Sequence, residues 1–274
     1  MQKNALKVTV PELQRLKTAG KKITALTAYD YPFARIVDEC GIDVILVGDS
    51  LATAVQGADT TLPVTMDEMI YHTKLVTRAR PRALVVGDMP FLTYQAGICD
   101  AIANAGRLLK EGGAEAIKLE GGVNIHRVIR AIANVDIPVM GHIGLTPQSV
   151  HRMGGFKVQG KKSGRQPGAR ERVLEDAQAV EESGAFAIVL EGMPLDLAQE
   201  VTERLSIPTI GIGAGPYCDG QILVIHDLLG LGGKFSPKFV KKYVDLQAVI
   251  SQAVSSYIEE VQGGAFPRDE HSFH

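Results

Sequence analysis

Eight short apolar or β-branched runs punctuate the chain: Ile23 to Tyr29, Val44 to Val47, Ala83 to Val86, Ala116 to Leu119, Ile137 to Met140, Phe186 to Leu190, Ile207 to Ile212 and Gln221 to Ile225. A polar or ionisable residue or a glycine follows each run, and most gaps hold a longer stretch with helical spacing. The runs are continuous rather than alternating. Strands buried on both faces require that pattern, and such burial belongs to parallel sheets covered by helices. The gaps leave room for crossover helices. Thr65 and Glu68 predict a capping box that opens a helix through Arg80, with Met66, Met69, Ile70 and Val76 on one face. Helices over Ala101 to Glu111 and Arg170 to Ser183 end at Gly112 with Gly113 and at Gly184, where C-cap glycines belong. Ser236 followed by Pro237 predicts the start of a last helix that carries Val240, Val244, Ile250, Val254, Ile258 and Val261. Thr9 and Glu12 predict another capping box, on an N-terminal helix that covers the bottom of a barrel.

The expected architecture is α/β: a (β/α)8 TIM barrel with an N-terminal capping helix, one catalytic domain over residues 1–274. A length of 274 residues suits a barrel, which typically needs about 250. No Ser/Pro-rich or charged linker divides the chain. The long irregular stretch is 154–169, GGFKVQGKKSGRQPGA, which reads equally as a functional lid or as a plain excursion.

Composition narrows the partners. With 29 Lys+Arg against 31 Asp+Glu, the net charge of −2 provides no field to hold a phosphate backbone, so nucleic acid is not expected. Cys40, Cys99 and Cys218 are odd in number and far apart, which predicts reduced thiols. There is no apolar leader and no membrane-length run, so a cytoplasmic protein without membrane contact is expected.

Active sites of such barrels lie at the C-terminal ends of the strands. The residues there are Asp30, Asp49 with Ser50, Asp88, Glu120, His142, Glu191, the GIGAG of 211–215, and His226 with Asp227. Asp49, Asp88 and Glu120 stand out because neighbouring strands lie about 4.8 Å apart, so carboxylates on three consecutive strands repel one another unless a cation offsets them. Oxygen-only donors select a hard divalent ion such as Mg2+, which keeps positions open for substrate; a 2-oxo acid has a chelating pair of oxygens. Lys118, two residues before Glu120, points into the barrel and either pairs with the carboxylates or holds a substrate carboxylate. Glu191 suits a general base or a helix-capping carboxylate. His142 and His226 read as readily as structural residues as catalytic ones. GIGAG fits a phosphate loop or a tight turn.

The segments ITALTAYDY (23–31), VGDSLATAVQGADTTLPVT (47–65), IKLEGG (117–122), GHIGLTPQSV (141–150), GGFKVQG (154–160), GIGAG with DGQILVIHD (211–227) and the closing HSFH together resemble the ketopantoate (3-methyl-2-oxobutanoate) hydroxymethyltransferases. The resemblance runs from Ile23 to His274; Thr93 to Asp100 and Lys161 to Ala169 follow it less closely. It implies a barrel of the phosphoenolpyruvate/pyruvate class and a transfer that depends on one Mg2+ per subunit. A hydroxymethyl group would pass from 5,10-methylenetetrahydrofolate to 3-methyl-2-oxobutanoate, giving ketopantoate for pantothenate and coenzyme A synthesis. It further implies a cytoplasmic homo-oligomer, commonly a decamer. By residue, it places the metal on Asp49, Asp88 and Glu120, the oxo acid on Asp49, Ser50, Asp88 and Lys118, and the proton acceptor on Glu191; Asp30 receives no role. Two other readings stay open. A lyase or mutase of the same barrel class would use a similar metal site, but typically carries a Lys-Cys-Gly-His loop that is absent here. A non-catalytic metabolite-binding barrel would gain nothing from buried, repelling carboxylates.

Overall fold

The eight apolar runs form eight parallel strands: β1 Ile23–Thr27, β2 Val44–Val47, β3 Leu84–Asp88, β4 Ala116–Glu120, β5 Val139–Gly144, β6 Ala187–Glu191, β7 Thr209–Ile212 and β8 Gly220–Leu223. Each pairs with its neighbour in sequence, and β8 pairs with β1, so the sheet closes into a barrel. The computed structural model describes residues 6–161, 168–232 and 237–274. Contacts gather into two compact units, Met1–Val224, which contains the whole barrel, and Ile225–His274.

β2, β3 and β4 are buried at every position, as their unbroken apolar runs require. Their inward residues, including Val44, Leu46, Leu84, Val86 and Ala116, join Ile23, Ala25, Met140, Ala187, Val189, Ile210 and Ile222 in one interior cluster. The N-terminal helix Val10–Thr18 closes the bottom: Leu13 is part of that cluster, and Lys17 reaches the carbonyl of Ile207 and the carboxylate of Asp219 where β7 and β8 begin. Its capping box does not form. The Thr9 side chain caps nothing, and Glu12 pairs with Arg15 instead. The box at Thr65 forms in full, with Glu68 accepting from the Thr65 amide at 2.7 Å, and opens the helix Met66–Thr77. The helices Ile98–Lys110 and Ala169–Glu182 stop just before their predicted glycines.

Two further expectations need correction. No helix joins β7 to β8. Seven residues, 213–219, suffice because β8 starts level with Ile210, only two residues short of the end of β7. In the second unit the long helix begins at Leu246, where Asp245 accepts from the Ala248 amide at 3.1 Å, and it runs to Gln262 with no buried residue. Ser236, the predicted cap, lies outside the described residues, as does the 162–167 part of the long loop. Cys40 and Cys99 are exposed, Cys218 is buried, and all three are free thiols.

Candidate active site

Side chains on a strand alternate in direction, so each interior residue of the apolar cluster fixes the next inward position. Ala116 in the core places Lys118 and Glu120 in the interior; Val86 does the same for Asp88, Met140 for His142, and Val189 for Glu191. The register sets their heights: Asp88 lies level with Lys118, and Glu120 with His142. Asp49 joins them from just past the end of β2. The apolar interior therefore gives way, at the C-terminal mouth, to a buried layer of charge made of Asp49, Asp88, Lys118, Glu120 and His142.

Lys118 Nζ is at the centre, 2.9 Å from Asp88 Oδ2, 3.9 Å from Glu120 Oε1 and 3.4 Å from His142 Nδ1. Asp88 Oδ2 also accepts from the Asp49 amide at 3.0 Å. Burial, with the negative charges of Asp88 and Glu120 beside it, pushes the Asp49 carboxyl well up; burial raises Asp88 too, despite the opposing pull of Lys118. For Glu120 burial is outweighed by His142, Lys118 and an amide donor, and its net shift is downward. Lys118 is held charged: burial works against its ammonium, but three carboxylates outweigh that and push its pKa upward. This removes the neutral amine that a Schiff base requires. On His142, burial and Lys118 act downward, yet Glu120 and Glu191 win and raise it to about 9. The imidazole bridges these two carboxylates, with Nδ1 3.3 Å from Glu120 Oε1 and Nε2 3.2 Å from Glu191 Oε2, at poor angles for hydrogen bonds. Glu191 is thereby tied to the cluster.

Gly144, at the end of β5, allows this close approach. Its φ is +93°, and a Cβ there would meet the Glu191 carbonyl oxygen at 2.3 Å. Ser50 opens the short helix Leu51–Ala54 without capping it, and its Oγ shares a 2.8 Å hydrogen bond with the buried Tyr29 hydroxyl.

Two acceptors at the mouth, Asp88 Oδ1 and Glu120 Oε1, are buried without a hydrogen bond. Orphaned carboxylate oxygens in an all-oxygen donor set fit a hard divalent cation. Among the described residues, no three Asp, Glu, His or Cys side chains close around one point as a complete ligand set. The fit is therefore to an ion that these carboxylates hold in part, some directly and some through water, and whose shell water and substrate complete, as with Mg2+.

Other candidates have different places. Asp30 is the N-cap of the helix Tyr31–Glu39, accepting from the Phe33 amide at 2.9 Å, a structural task. GIGAG turns the chain between β7 and β8: Gly213 and Gly215 have φ of +62° and +82°, and no helix N-terminus follows to bind phosphate. His226 and Asp227 lie on the short helix Ile225–Leu228 of the second unit. Sequence reasoning missed Tyr94, Gln148 and Tyr29. Tyr94 and Gln148 stand in loops after β3 and β5, where no strand periodicity marks an inward position.

A closed parallel barrel with ionised groups buried at its C-terminal mouth defines an enzyme of the TIM-barrel class. Solved structures share that fold: a phosphonopyruvate hydrolase (TM-score 0.62, 13% identity, 98% of this chain and 92% of its own) and 2,3-dimethylmalate lyase, described as a PEP mutase/isocitrate lyase superfamily member (TM-score 0.61, 16% identity, 98% and 93%). Within that class, the ketopantoate hydroxymethyltransferase family model matches residues 7–269. Relatives named 3-methyl-2-oxobutanoate hydroxymethyltransferase from Geobacter metallireducens and Geobacter sulfurreducens are 66% and 65% identical, each over 97% of this chain and 98% of their own length. The chain belongs to the ketopantoate hydroxymethyltransferase family, a family of transferase enzymes.

Proposed function

We propose that this chain transfers a hydroxymethyl group from 5,10-methylenetetrahydrofolate to 3-methyl-2-oxobutanoate, giving ketopantoate for pantothenate synthesis. The observation that carries this reading is the buried mouth cluster, where a charged lysine and two orphaned carboxylate oxygens meet beside Glu191. Asp49, Asp88 and Glu120 would hold Mg2+, which when bound supplies Lewis acidity toward the keto oxygen. Lys118 and Ser50 present an ammonium and a hydroxyl to the substrate carboxylate. Glu191, 15% exposed at its side chain, borders the mouth rather than the floor and takes the proton from C3. Protonated His142, its Nε2 3.2 Å from Glu191 Oε2, holds the Glu191 carboxylate beside the mouth. The negative charge left at C3 delocalises toward the keto oxygen. The nucleophilic carbon attacks the folate's methylene carbon, a C–C bond forms as the two carbon–nitrogen bonds break, water supplies the hydroxyl, and the nitrogens take up protons so that tetrahydrofolate leaves.

The remaining implications have their own support. A cytoplasmic location is part of this proposal; no described helix is long and apolar enough to cross a membrane. The helix Leu246–Gln262 exposes Val249, Ile250, Val254, Tyr257, Ile258 and Val261, an apolar set that a second copy would cover in the homo-oligomer we propose.

The test is exchange of the C3 proton of 3-methyl-2-oxobutanoate with deuterated solvent, followed by NMR with Mg2+ and without folate. Enzyme-dependent exchange that vanishes in Glu191→Gln supports the assignment. Undiminished exchange in that variant removes Glu191 from the role of base, and product formation without folate would favour a lyase or mutase.

A further inference from the structure

Gln148 follows β5 on a single 3-10 turn, Pro147–Ser149, and its side chain is buried among the strand ends. Its Nε2 donates to Asp49 Oδ2 and to the Met89 carbonyl, both at 3.0 Å, while its own backbone amide donates to Glu120 Oε2 at 3.0 Å. One residue thus reaches groups at the ends of β2, β3 and β4. Both acceptors facing Nε2 are acceptors only, so a flipped amide would set oxygen against oxygen; the orientation is fixed.

Tyr94 locks it from the other side. This fully buried hydroxyl accepts from the Glu120 amide at 3.1 Å and lies 2.7 Å from Gln148 Oε1 and 3.0 Å from the Glu120 carbonyl. Its single proton is best placed on the shorter contact. A directional chain then runs from the Glu120 amide through Tyr94 and Gln148 to the carboxylate of Asp49.

All these donors are neutral. The carboxylates of Asp49 and Glu120 each have one oxygen held by Gln148, and Glu120 Oε1 is buried without a hydrogen bond, with only the cations of His142 and Lys118 beside it, 3.3 and 3.9 Å away. A charged donor in the same place would cancel the negative charge that attracts a cation; an amide fixes the carboxylate and leaves the charge intact.

We propose that Gln148, locked by Tyr94, is a positioning residue that fixes Asp49 and Glu120 by one oxygen each through neutral donors, so that their remaining oxygens are preset for a divalent cation. The inference rests on the reading that Asp49, Asp88 and Glu120 take such a cation, and it deepens that reading with two residues outside the ligand set.

The test measures Mn2+ affinity by the loss of the free-ion EPR signal, with no substrate present, for the parent, Gln148→Leu, Tyr94→Phe, the double variant and Asp88→Asn. Outer-shell partners of metal ligands are typically worth about 10–100-fold in affinity. Gln148→Leu should weaken Mn2+ binding in that range, Tyr94→Phe by less, and the double variant no more than Gln148→Leu alone, because both act through one chain. Urea midpoints in EDTA separate this from a general loss of structure. If Gln148→Leu does not fold, Tyr94→Phe, which removes one oxygen, carries the test. If Asp88→Asn binds Mn2+ as tightly as the parent, the cation reading itself is wrong. If Asp88→Asn loses Mn2+ while the folded Gln148 or Tyr94 variants keep the parent affinity, the cation reading stands and the positioning role is overturned.

Discussion

Replacing Lys118 with methionine removes the one lysine ammonium from the carboxylate layer while keeping most of its volume. At 2.9 Å from Asp88 and 3.9 Å from Glu120, the ammonium contributes attractions of about 6 and about 4 kcal/mol at an effective dielectric of about 20. Desolvation of the buried ammonium offsets much of that. Breaking a buried ion pair by deleting one partner costs about 3–5 kcal/mol, because the other charge stays buried and unpaired. With a urea m-value of about 3 kcal/mol/M, the midpoint in EDTA should fall by roughly 1–1.7 M. The pH dependence has a definite sign. Burial and mutual repulsion already hold Asp49 and Asp88 above their ordinary carboxylate values, and losing Lys118 raises both further. A group whose folded pKa exceeds its unfolded one binds more protons folded, so its contribution is full at low pH and is lost as pH rises through the folded value. The deficit of Lys118→Met should therefore be largest at pH 8 and shrink toward pH 5. Added Mg2+ should stabilise the variant more than the parent, since the cation then meets one positive charge fewer. Urea melts at pH 5, 6.5 and 8, with EDTA or Mg2+, read all of this. A midpoint within about 0.2 M of the parent at every pH would refute the idea that Lys118 holds repelling carboxylates together.

Three further outcomes follow from the geometry. A Cβ at Gly141 of β5 would sit 2.4 Å from Val180 Cγ1 on the helix Ala169–Glu182, so Gly141→Ala should cost about 1–3 kcal/mol by overpacking. Val180→Ala in the same chain should recover part of that loss; purely additive losses in denaturant melts would show that the two positions do not collide. Asp30→Ala should lower stability by about 1 kcal/mol through the lost helix cap and leave the catalytic rate unchanged, whereas a drop in rate would bring Asp30 into the chemistry. His142, raised to about 9, gives stability that is complete below its unfolded pKa of about 6.5 and lost as pH rises through 9. Imidazole NMR in EDTA should show it still protonated at pH 7.5, and His142→Asn should flatten the fall in stability between pH 7 and 9; a neutral ring at pH 7.5 would contradict the bridge between Glu120 and Glu191.

The parts of the site that lie on strands were legible because a strand repeats every second residue. Once Ala116 is assigned to the interior, Lys118 and Glu120 have no other direction to face, and Asp88, His142 and Glu191 follow from Val86, Met140 and Val189 in the same way. Loops carry no such count. Tyr94 and Gln148 became visible only when the chain was folded, although Gln148 sits in a segment that carried the family resemblance. Capping patterns show a different limit. Thr9 with Glu12 and Thr65 with Glu68 present the same spacing, yet only the second forms a box, because Arg15 lies one helical turn beyond Glu12 and takes its carboxylate. The spacing alone does not make a box: the carboxylate must also be free of competing partners. The last helix likewise starts at Leu246, capped by Asp245, rather than just after Ser236, since apolar periodicity continues past a boundary that only the cap hydrogen bond marks.

The mouth layer also departs from what stability alone would select. A fold seeking only to stabilise three buried carboxylates would surround them with arginines or replace them with apolar residues of similar volume. Here one lysine serves the group, the other firm donors to Asp49 and Asp88 are a neutral amide and a glutamine side chain, and Glu120 takes its firm hydrogen bond from the backbone of Gln148. Asp88 Oδ1 and Glu120 Oε1 remain without hydrogen bonds in a buried setting, a cost of about 1–3 kcal/mol for each group. Local rules of stability are broken most often where function requires it. The near-neutral total of −2 conceals this local concentration of carboxylates, which on the proposed reading is what a divalent cation and an anionic substrate would meet together.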